Sequence, residues 1–266
     1  MSTKTILVTG AGGGIGRAVT KRLTEAGFAV IGLDRAEVSL PAPSFTFVRC
    51  DITDPDSVRT AYDAVSAVTD TLSGIVNTAG IVFMGSLIEE DAELMQRILD
   101  VNVSGMARVN RTFFPLLEKG NGRIVNLSSE YGIFCSIPFH GFYTASKHAV
   151  ECYTDSLRRE LNFLGMKVVG IRPGAVNTPM THGTVPQFDR IKQTTTHFSR
   201  PYRTLAPLMA GATKHPTDPA VIADTVMKAL TKKHPRRYYN VRQDVRVKLL
   251  SALPTGLTDF IFKRFF

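Results

Sequence analysis

No run of apolar residues in this chain approaches the roughly 20 needed to cross a bilayer as a helix, which excludes an integral helical membrane protein. Cysteine is scarce as well. Cys50, Cys135 and Cys152 are the only three, an odd number without metal-ligand spacing. That excludes a disulfide framework and a thiolate metal centre and suits a reducing cytoplasm. The six histidines form no metal constellation. Internal repeats, low-complexity tracts and compositional breaks are lacking too, so nothing divides the 266 residues. One large α/β domain with a full core is expected at that length. Met1-Ser2-Thr3-Lys4 leads directly into an apolar run, which leaves no room for a signal peptide and implies a cytoplasmic protein.

Acidic residues are the scarcer charge. The 32 Lys and Arg outnumber the 23 Asp and Glu, giving a net charge of +9. A nucleic-acid partner is nevertheless not expected, because the basic residues are scattered and no DNA- or RNA-binding module accompanies them. Their one concentration is Lys232-Lys233-His234-Pro235-Arg236-Arg237, continued by Arg242, Arg246, Lys248, Lys263 and Arg264. This reads as a solvated surface that steers anionic ligands.

What the chain does have is alternation. Thr5-Ile6-Leu7-Val8, Ala29 to Leu33, Phe45 to Val48, Gly74-Ile75-Val76, Arg123 to Leu127 and Lys167 to Ile171 read as strands, with helical stretches between them. Such alternation specifies a doubly wound parallel sheet with helices on both faces, a Rossmann fold.

Between the first strand and the first helix lies Thr9-Gly10-Ala11-Gly12-Gly13-Gly14-Ile15-Gly16. Glycines there allow a tight turn and let the backbone approach a pyrophosphate, whose charge meets helix N-terminal amides. The second strand ends at Asp34, where a carboxylate would accept hydrogen bonds from adenosine ribose hydroxyls and repel a 2′-phosphate. Asp34 therefore favours NAD over NADP. The neighbouring Arg35 is the opposing feature, since a guanidinium can bind that phosphate.

Further along, Tyr143-Thr144-Ala145-Ser146-Lys147 places a phenol and an ammonium one helical turn apart on one face. A nearby positive charge favours the phenolate, so Tyr143 is expected to exchange a proton nearer neutral pH than an ordinary phenol of pKa about 10. A serine from the preceding Asn126-Leu127-Ser128-Ser129-Glu130 could hold the oxygen of an alcohol or carbonyl while that proton moves.

Together these motifs resemble the short-chain dehydrogenase/reductase family over roughly residues 4 to 232. T-G-x-x-x-G-x-G stands at Thr9 to Gly16, an acidic residue with an apolar neighbour at Asp51-Ile52, and Asn77-Thr78-Ala79-Gly80 where the family usually has N-N-A-G. Asn102, Ser129, Tyr143, Lys147 and Pro173-Gly174-Ala175-Val176-Asn177-Thr178 follow in family order. The resemblance implies a catalytic set of Ser129, Tyr143, Lys147 and Asn102. Tyr143 would act as general acid/base, Lys147 would lower its pKa and hold the nicotinamide ribose, and Ser129 would donate to the substrate oxygen. Asn102 would position a water or a helix kink linking Lys147 to solvent. For the cofactor, the resemblance implies Gly10, Gly12, Gly14, Ile15 and Gly16 at the phosphates and Asp34 at the ribose. Asp51 and Ile52 would flank the adenine, and Asn77, Ala79 and Gly80 would line the cleft. Pro173, Gly174 and Val176 would lie near the nicotinamide, with Thr178 receiving its carboxamide.

Two departures from the family pattern matter. Thr78 replaces an asparagine but keeps a hydroxyl. Ser129 lies fourteen positions before Tyr143 rather than the commoner thirteen; the S-x-x-G pattern ending at Gly132 identifies Ser129 as the aligned serine and puts the extra residue in the loop Ile133 to Phe142. Ser128 would face away and cap a backbone group. Cys135 in that loop reads as a buried thiol or as lining the substrate site. His140 and His148 read as loop or helix-surface residues, with contact to substrate the alternative for His140.

Two segments bear on the substrate. The stretch from about 179 to 216 is long and poorly periodic, as expected of a lid. It carries Met180, Val185, Phe188, Phe198, Tyr202, Leu205, Leu208 and Met209, which either face a lipophilic alcohol or ketone (sterol-, retinoid- or long-chain-like) or anchor the lid. The tail from 241 to 266 mixes apolar and basic residues and is broken by Pro254 and Gly256 into two short helical pieces. It either closes over the cleft or a second subunit, the favoured use, or rests weakly on an anionic membrane. The helical stretches near Glu93 to Leu117 and Tyr143 to Leu164 carry more apolar residues than one stripe requires, so a homodimer or homotetramer is expected. Apart from an oxidoreductase, a non-catalytic redox sensor and a membrane-surface scaffold remain open.

Overall fold

The computed structural model describes residues 3–134, 136–212 and 215–265, those of 208–212 as backbone only. The reading of Cys135, the side chains of Leu208 and Met209, and Phe266 lie outside the described residues.

In chain order the elements are β1 (Thr5–Thr9), α1 (Gly14–Glu25), β2 (Ala29–Asp34), β3 (Phe45–Arg49), α2 (Pro55–Ser66), β4 (Gly74–Asn77) and α3 (Glu93–Leu99). A π-helical turn (Asp100–Gly105) joins α3 to α4 (Met106–Lys119). Next come β5 (Arg123–Leu127), a 3₁₀ turn (Glu130–Gly132), α5 (Gly141–Asn162) and β6 (Lys167–Pro173). The remainder is α6 (Pro179–His182), α7 (Thr184–Thr194), α8 (Ser199–Ala212), α9 (Pro219–Thr231), β7 (Tyr238–Val241), α10 (Val245–Ser251) and α11 (Thr255–Phe265).

All seven strands are parallel, in the order β3-β2-β1-β4-β5-β6-β7. This is the doubly wound sheet that the alternation specified. Side chains along a strand point alternately to opposite faces, and both faces of this sheet are covered. Ile6 and Val8 therefore pack with Val19 and Leu23 of α1 and Ile222 and Val226 of α9. Leu7, between them, packs into the other layer with Val58 and Val65 of α2 and Phe113 and Leu117 of α4. The middle of β1, Ile6-Leu7-Val8, is continuously apolar because neither side meets water.

Helix starts follow local chemistry. Asp54 caps α2 by accepting from Asp56 N, with Pro55 in the first turn, and Asp218 caps α9 by accepting from Ala220 N, ahead of Pro219. Proline there costs nothing, since its missing N–H would have had no helical partner.

Two features depart from the sequence reading. β7 was not anticipated: Tyr238-Tyr239-Asn240-Val241 follows a basic run and has little apolar alternation, and it becomes a strand by pairing with the open edge of β6. The lid is not irregular but folds as α6, α7 and α8. Its apolar residues divide their roles: Tyr202 and Leu205 are buried with Phe188, Ile191, Met84 and Phe139, whereas Val185 is exposed. Tyr202 also donates from its hydroxyl to Phe188 O (2.7 Å). In the stretch from Tyr143 to Leu164, Phe163 and Leu164 are exposed, while Leu94, Met95 and Phe114 on α3 and α4 are half-buried.

The tail forms the two short helices expected of it, α10 and α11. Phe262 of α11 packs on the lid cluster.

Candidate active site

Loops at the carboxyl ends of parallel strands form the crevice of an open α/β sheet, and here they bring the glycine-rich turn and the Tyr143 helix to adjoining clefts. The first cleft, about 300 Å³, has Gly10, Gly14, Ile15 and Gly16 along one side and Ala79 and Gly80 along the other. Asp34, Asp51 and Ile52 line one end, and Thr178 borders the other. Gly10 sits at φ +65, and a Cβ there would lie 2.8 Å from the Ala79 backbone. A Cβ on Gly14 would lie 2.6 Å from Thr178 Cγ2. The turn is therefore in contact with the loops after β4 and β6.

Both oxygens of Asp34 hold backbone: Oδ2 accepts from Gly12 N (2.9 Å) and Oδ1 from Ala36 N (3.1 Å). Gly12 thus enters the site through Asp34. Arg35 is 69% exposed at its side chain and lies 3.9 Å from Asp51. Burial pushes the Asp51 carboxyl up, but hydrogen bonds from Thr53 and the charges of Arg35 and Arg108 outweigh it and hold it below the usual carboxylate range. Asn77 does not line the cleft. It is buried beneath it, where its Nδ2 donates to Asn110 Oδ1 and Asn126 Oδ1, each at 2.9 Å. Its neighbour Thr78 lines the cleft instead.

The second cleft, about 150 Å³, shares Ile15, Gly80, Ile81, Thr178 and Met180 with the first. Ser129, Tyr143 and Lys147 meet here with Pro173, Gly174 and Val176, facing apolar side chains of Val82, Met84 and Phe188. Ser129 lies near enough to Tyr143 for its hydroxyl to lower the phenol's pKa, so the fourteen-residue spacing does not separate them. Ser129 Oγ also accepts from Tyr131 N (3.3 Å), capping the 3₁₀ turn. Ser128, expected to cap, has a buried hydroxyl without a partner.

Lys147 is buried and donates to Leu127 O (3.1 Å), with its ammonium 5.6 Å from the centre of the Tyr143 ring. Burial pushes it down to about 8, against the opposing charge of Glu151. The phenol does not show the depressed pKa read from the Y-x-x-x-K spacing. Burial pushes Tyr143 up to about 12; the Ser129 hydrogen bond lowers it and the Glu130 charge raises it. Desolvation of the phenolate outweighs an ammonium that is itself desolvated.

Asn102 lies in the π-helical turn, the kink that the resemblance implied. Its Oδ1 accepts from Ile81 N (2.8 Å) and its Nδ2 donates to Ile81 O (3.0 Å) and Ser146 Oγ (2.9 Å). Asn102 thereby ties the loop after β4 to α5.

His140 corrects the surface reading. It is 4% exposed, stacks on Tyr131 and borders the second cleft. Burial pushes it down to about 4, so it is neutral at pH 7. His148 is on the helix surface as expected. Glu130, Tyr131 and Met84 also line the cleft and were not identified from sequence; only the adjacency of Glu130 to Ser129 hinted at it.

A nicotinamide dinucleotide fits this donor set. The glycine turn, whose Gly10 and Gly14 leave no room for side chains, faces a carboxylate fixed at the end of β2, and the first cleft runs into the one that holds the hydroxyl pair.

The comparisons agree with the geometry. The chain is 31% identical to human 17-beta-hydroxysteroid dehydrogenase type 6, covering 99% of this chain and 89% of that protein. A short chain dehydrogenase/reductase from Burkholderia phymatum in complex with NAD superposes with a TM-score of 0.76 at 25% identity, covering 91% of this chain and 89% of the other. An actinorhodin polyketide ketoreductase with NADPH gives 0.75 at 27%, covering 90% and 95%. The family model for short chain dehydrogenase matches residues 4–189. The chain belongs to the short-chain dehydrogenase/reductase family of oxidoreductases.

Proposed function

We propose that this protein is an NAD-dependent oxidoreductase that interconverts a secondary alcohol and a ketone on a lipophilic molecule. The observation that carries the reading is the Ser129–Tyr143 pair, which shares an apolar-walled cleft continuous with the glycine turn. Tyr143 gives its phenolic proton to the ketone oxygen, or takes the alcohol proton in the reverse direction. Ser129 holds that oxygen as charge develops on it. Lys147 and Asn102 fix the Tyr143 helix against the loops after β5 and β4.

Gly10, Gly12, Gly14, Ile15 and Gly16 would hold the pyrophosphate, and Asp34 the adenosine ribose. Asp51 and Ile52 would flank the adenine. Ala79 and Gly80 would form the opposite wall, with Asn77 beneath it. Pro173, Gly174, Val176 and Thr178 would border the nicotinamide, and Lys147 its ribose. When bound, NAD supplies the hydride acceptor, chemistry that no side chain provides. Asp34 supports NAD over NADP because a second negative charge beside it is repelled; the related structures include both cofactors.

The lipophilic substrate is supported by Val82, Met84, Met180 and Phe188 in the cleft and by the hydroxysteroid named for the human relative. The same proposal includes a cytoplasmic location and a homodimer or homotetramer. A monomer in light scattering at micromolar concentration would remove that part. Membrane contact is the lesser use of the tail, supported by exposed Leu253, Leu257 and Phe260 beside Lys263 and Arg264.

The test is a screen of lipophilic secondary alcohols with NAD and of ketones with NADH, followed by nicotinamide absorbance, with NADP(H) in parallel. NADH binding without turnover of any compound would favour the redox-sensor reading.

A further inference from the structure

Glu130 is a buried carboxyl that the proposed chemistry does not use. It follows Ser129 directly and is 4% exposed. Its Oε2 accepts a 2.6 Å hydrogen bond from Asp244 N. Asp244 caps α10 at the start of the tail: its side chain accepts from Arg246 N (2.8 Å) and pairs with the Arg246 guanidinium. The bond from Glu130 thus joins the catalytic serine segment to the point where the tail leaves β7.

The chain just before Asp244 is strained. Arg242 has φ +46, a left-handed conformation that costs a non-glycine residue about 1–3 kcal/mol and persists only when its surroundings enforce it. Two further contacts do so, since Gly174 N donates to Val241 O (2.9 Å) and a Cβ on Gly174 would lie 2.3 Å from Arg242 O. The tail is therefore fixed at its start against the serine and the Pro173-Gly174 loop. At its far end Phe262 packs on the lid cluster of Met84, Phe139 and Phe188. Between these anchors lie α10 and α11.

We infer that Glu130 is a positioning residue that fastens the C-terminal helices beside the substrate cleft, against the lid, through its bond to the Asp244 amide. The inference rests on the oxidoreductase reading only for its kinetic consequences. Release of the tail would return Glu130 toward water, where a carboxyl loses its proton more readily, so the fastening holds best with Glu130 protonated and loosens as it ionises. Burial, opposed by the Asp244 N–H and helped by the Asp244 charge, pushes that carboxyl up to about 7. The charged and titratable neighbours are Asp244 with its partner Arg246 from the tail, Tyr131 from the same turn, and Tyr143 and Lys147 from α5 with Glu151, which is paired to Arg172 of β6. Lys147, pushed down to about 8 by its burial, titrates nearest to Glu130, and Glu130→Gln separates the two.

Hydrogen exchange of residues 245–265, corrected for intrinsic rates, tests this without cofactor or substrate. In the wild type, protection is expected to fall several-fold as pH increases through 7. Glu130→Gln keeps the shape and a carbonyl acceptor but cannot ionise, so its protection should be flat across the same range, whereas Glu130→Ala, which has no acceptor, should be low throughout. A second pair guards against a general folding defect. Asp244→Ala and Asp244→Pro both remove the cap, but only proline also removes the N–H, and its φ near −65° suits the −69° found there. Proline should lower protection beyond alanine when Glu130 is present and not in the Glu130→Ala background. Kinetically, Glu130→Ala should raise KM several-fold more than it lowers kcat, and Glu130→Gln should abolish the pH dependence of KM near 7. Unchanged pH-dependent protection in Glu130→Gln, or an equal proline–alanine difference in both backgrounds, overturns the fastening. Absence of turnover with the exchange results intact overturns the oxidoreductase reading alone.

Discussion

Replacing Tyr143 with phenylalanine removes one oxygen and keeps the ring. That oxygen lies beside Ser129 in the apolar cleft. No neighbouring group is placed to substitute for it. Lys147 is committed to Leu127 O, Glu130 to Asp244 N, and His140 is neutral at pH 7. The loss should therefore approach the upper end of the general acid–base range, about 10³- to 10⁴-fold in kcat, or roughly 4–5.5 kcal/mol of barrier. Folding is little affected. One neutral hydrogen bond is worth about 0.5–1.5 kcal/mol, which lowers Tm by about 2–6 °C in a chain of this size. Steady-state rates on the best compound from the screen, with NADH titration and a thermal melt of the same preparation, give all three quantities. A folded variant that binds NADH normally and turns over within about tenfold of wild type would remove Tyr143 from the chemistry.

Asp34→Ala should weaken NAD binding about tenfold to a hundredfold, the worth of a hydrogen bond to a charged group, and relax discrimination against NADP; a wild-type preference for NADP in cofactor titrations would show Arg35 to dominate. Asn77→Ala deletes the donor shared by Asn110 and Asn126. Leaving two buried carbonyl oxygens short of a partner at about 1–3 kcal/mol each should lower Tm by about 5–15 °C, and a melt within about 2 °C of wild type would refute the buried-network account. Deleting Leu257 to Phe266 should raise KM and loosen the lid without altering liposome binding, whereas salt-sensitive liposome binding lost on truncation, with soluble activity intact, would assign the tail to a membrane surface.

Much of the sheet was legible because its strands are buried on both sides. Runs such as Ile6-Leu7-Val8 and Ile124-Val125 have no other comfortable environment. β7 was illegible for the opposite reason: Tyr239 is only partly buried and Asn240 is exposed, so no local pattern marks them. The lid helices were obscured by Pro186, Pro201 and Pro207, which break periodicity but are accommodated within or at the start of α7 and α8. At the site, the positions of Ser129, Tyr143 and Lys147 could be read from spacing, but the direction of the phenol's shift could not, because desolvation depends on surroundings supplied by distant segments. Glu130 and His140 are the same case. Their burial comes from α10 and from the stacked Tyr131, contacts that no local sequence pattern encodes.

The parallel sheet also sets the order in which the chain can fold as it is made. β1 pairs with β2 at residues 29–33 but receives its second neighbour only from β4 at 74–77. Forty-four residues separate Leu33 from Asn77, and synthesis at about 5–20 residues per second spans that distance in roughly 2–9 s. Through that interval an apolar strand edge stands unpaired, the condition under which strands join other chains. β5 waits similarly for β6, from Leu127 to Ile171. The glycine turn and the Tyr143 helix cannot face each other until β4 and β5 have been laid down between them. The species most exposed to self-association is therefore the half-made chain on the ribosome rather than the finished enzyme.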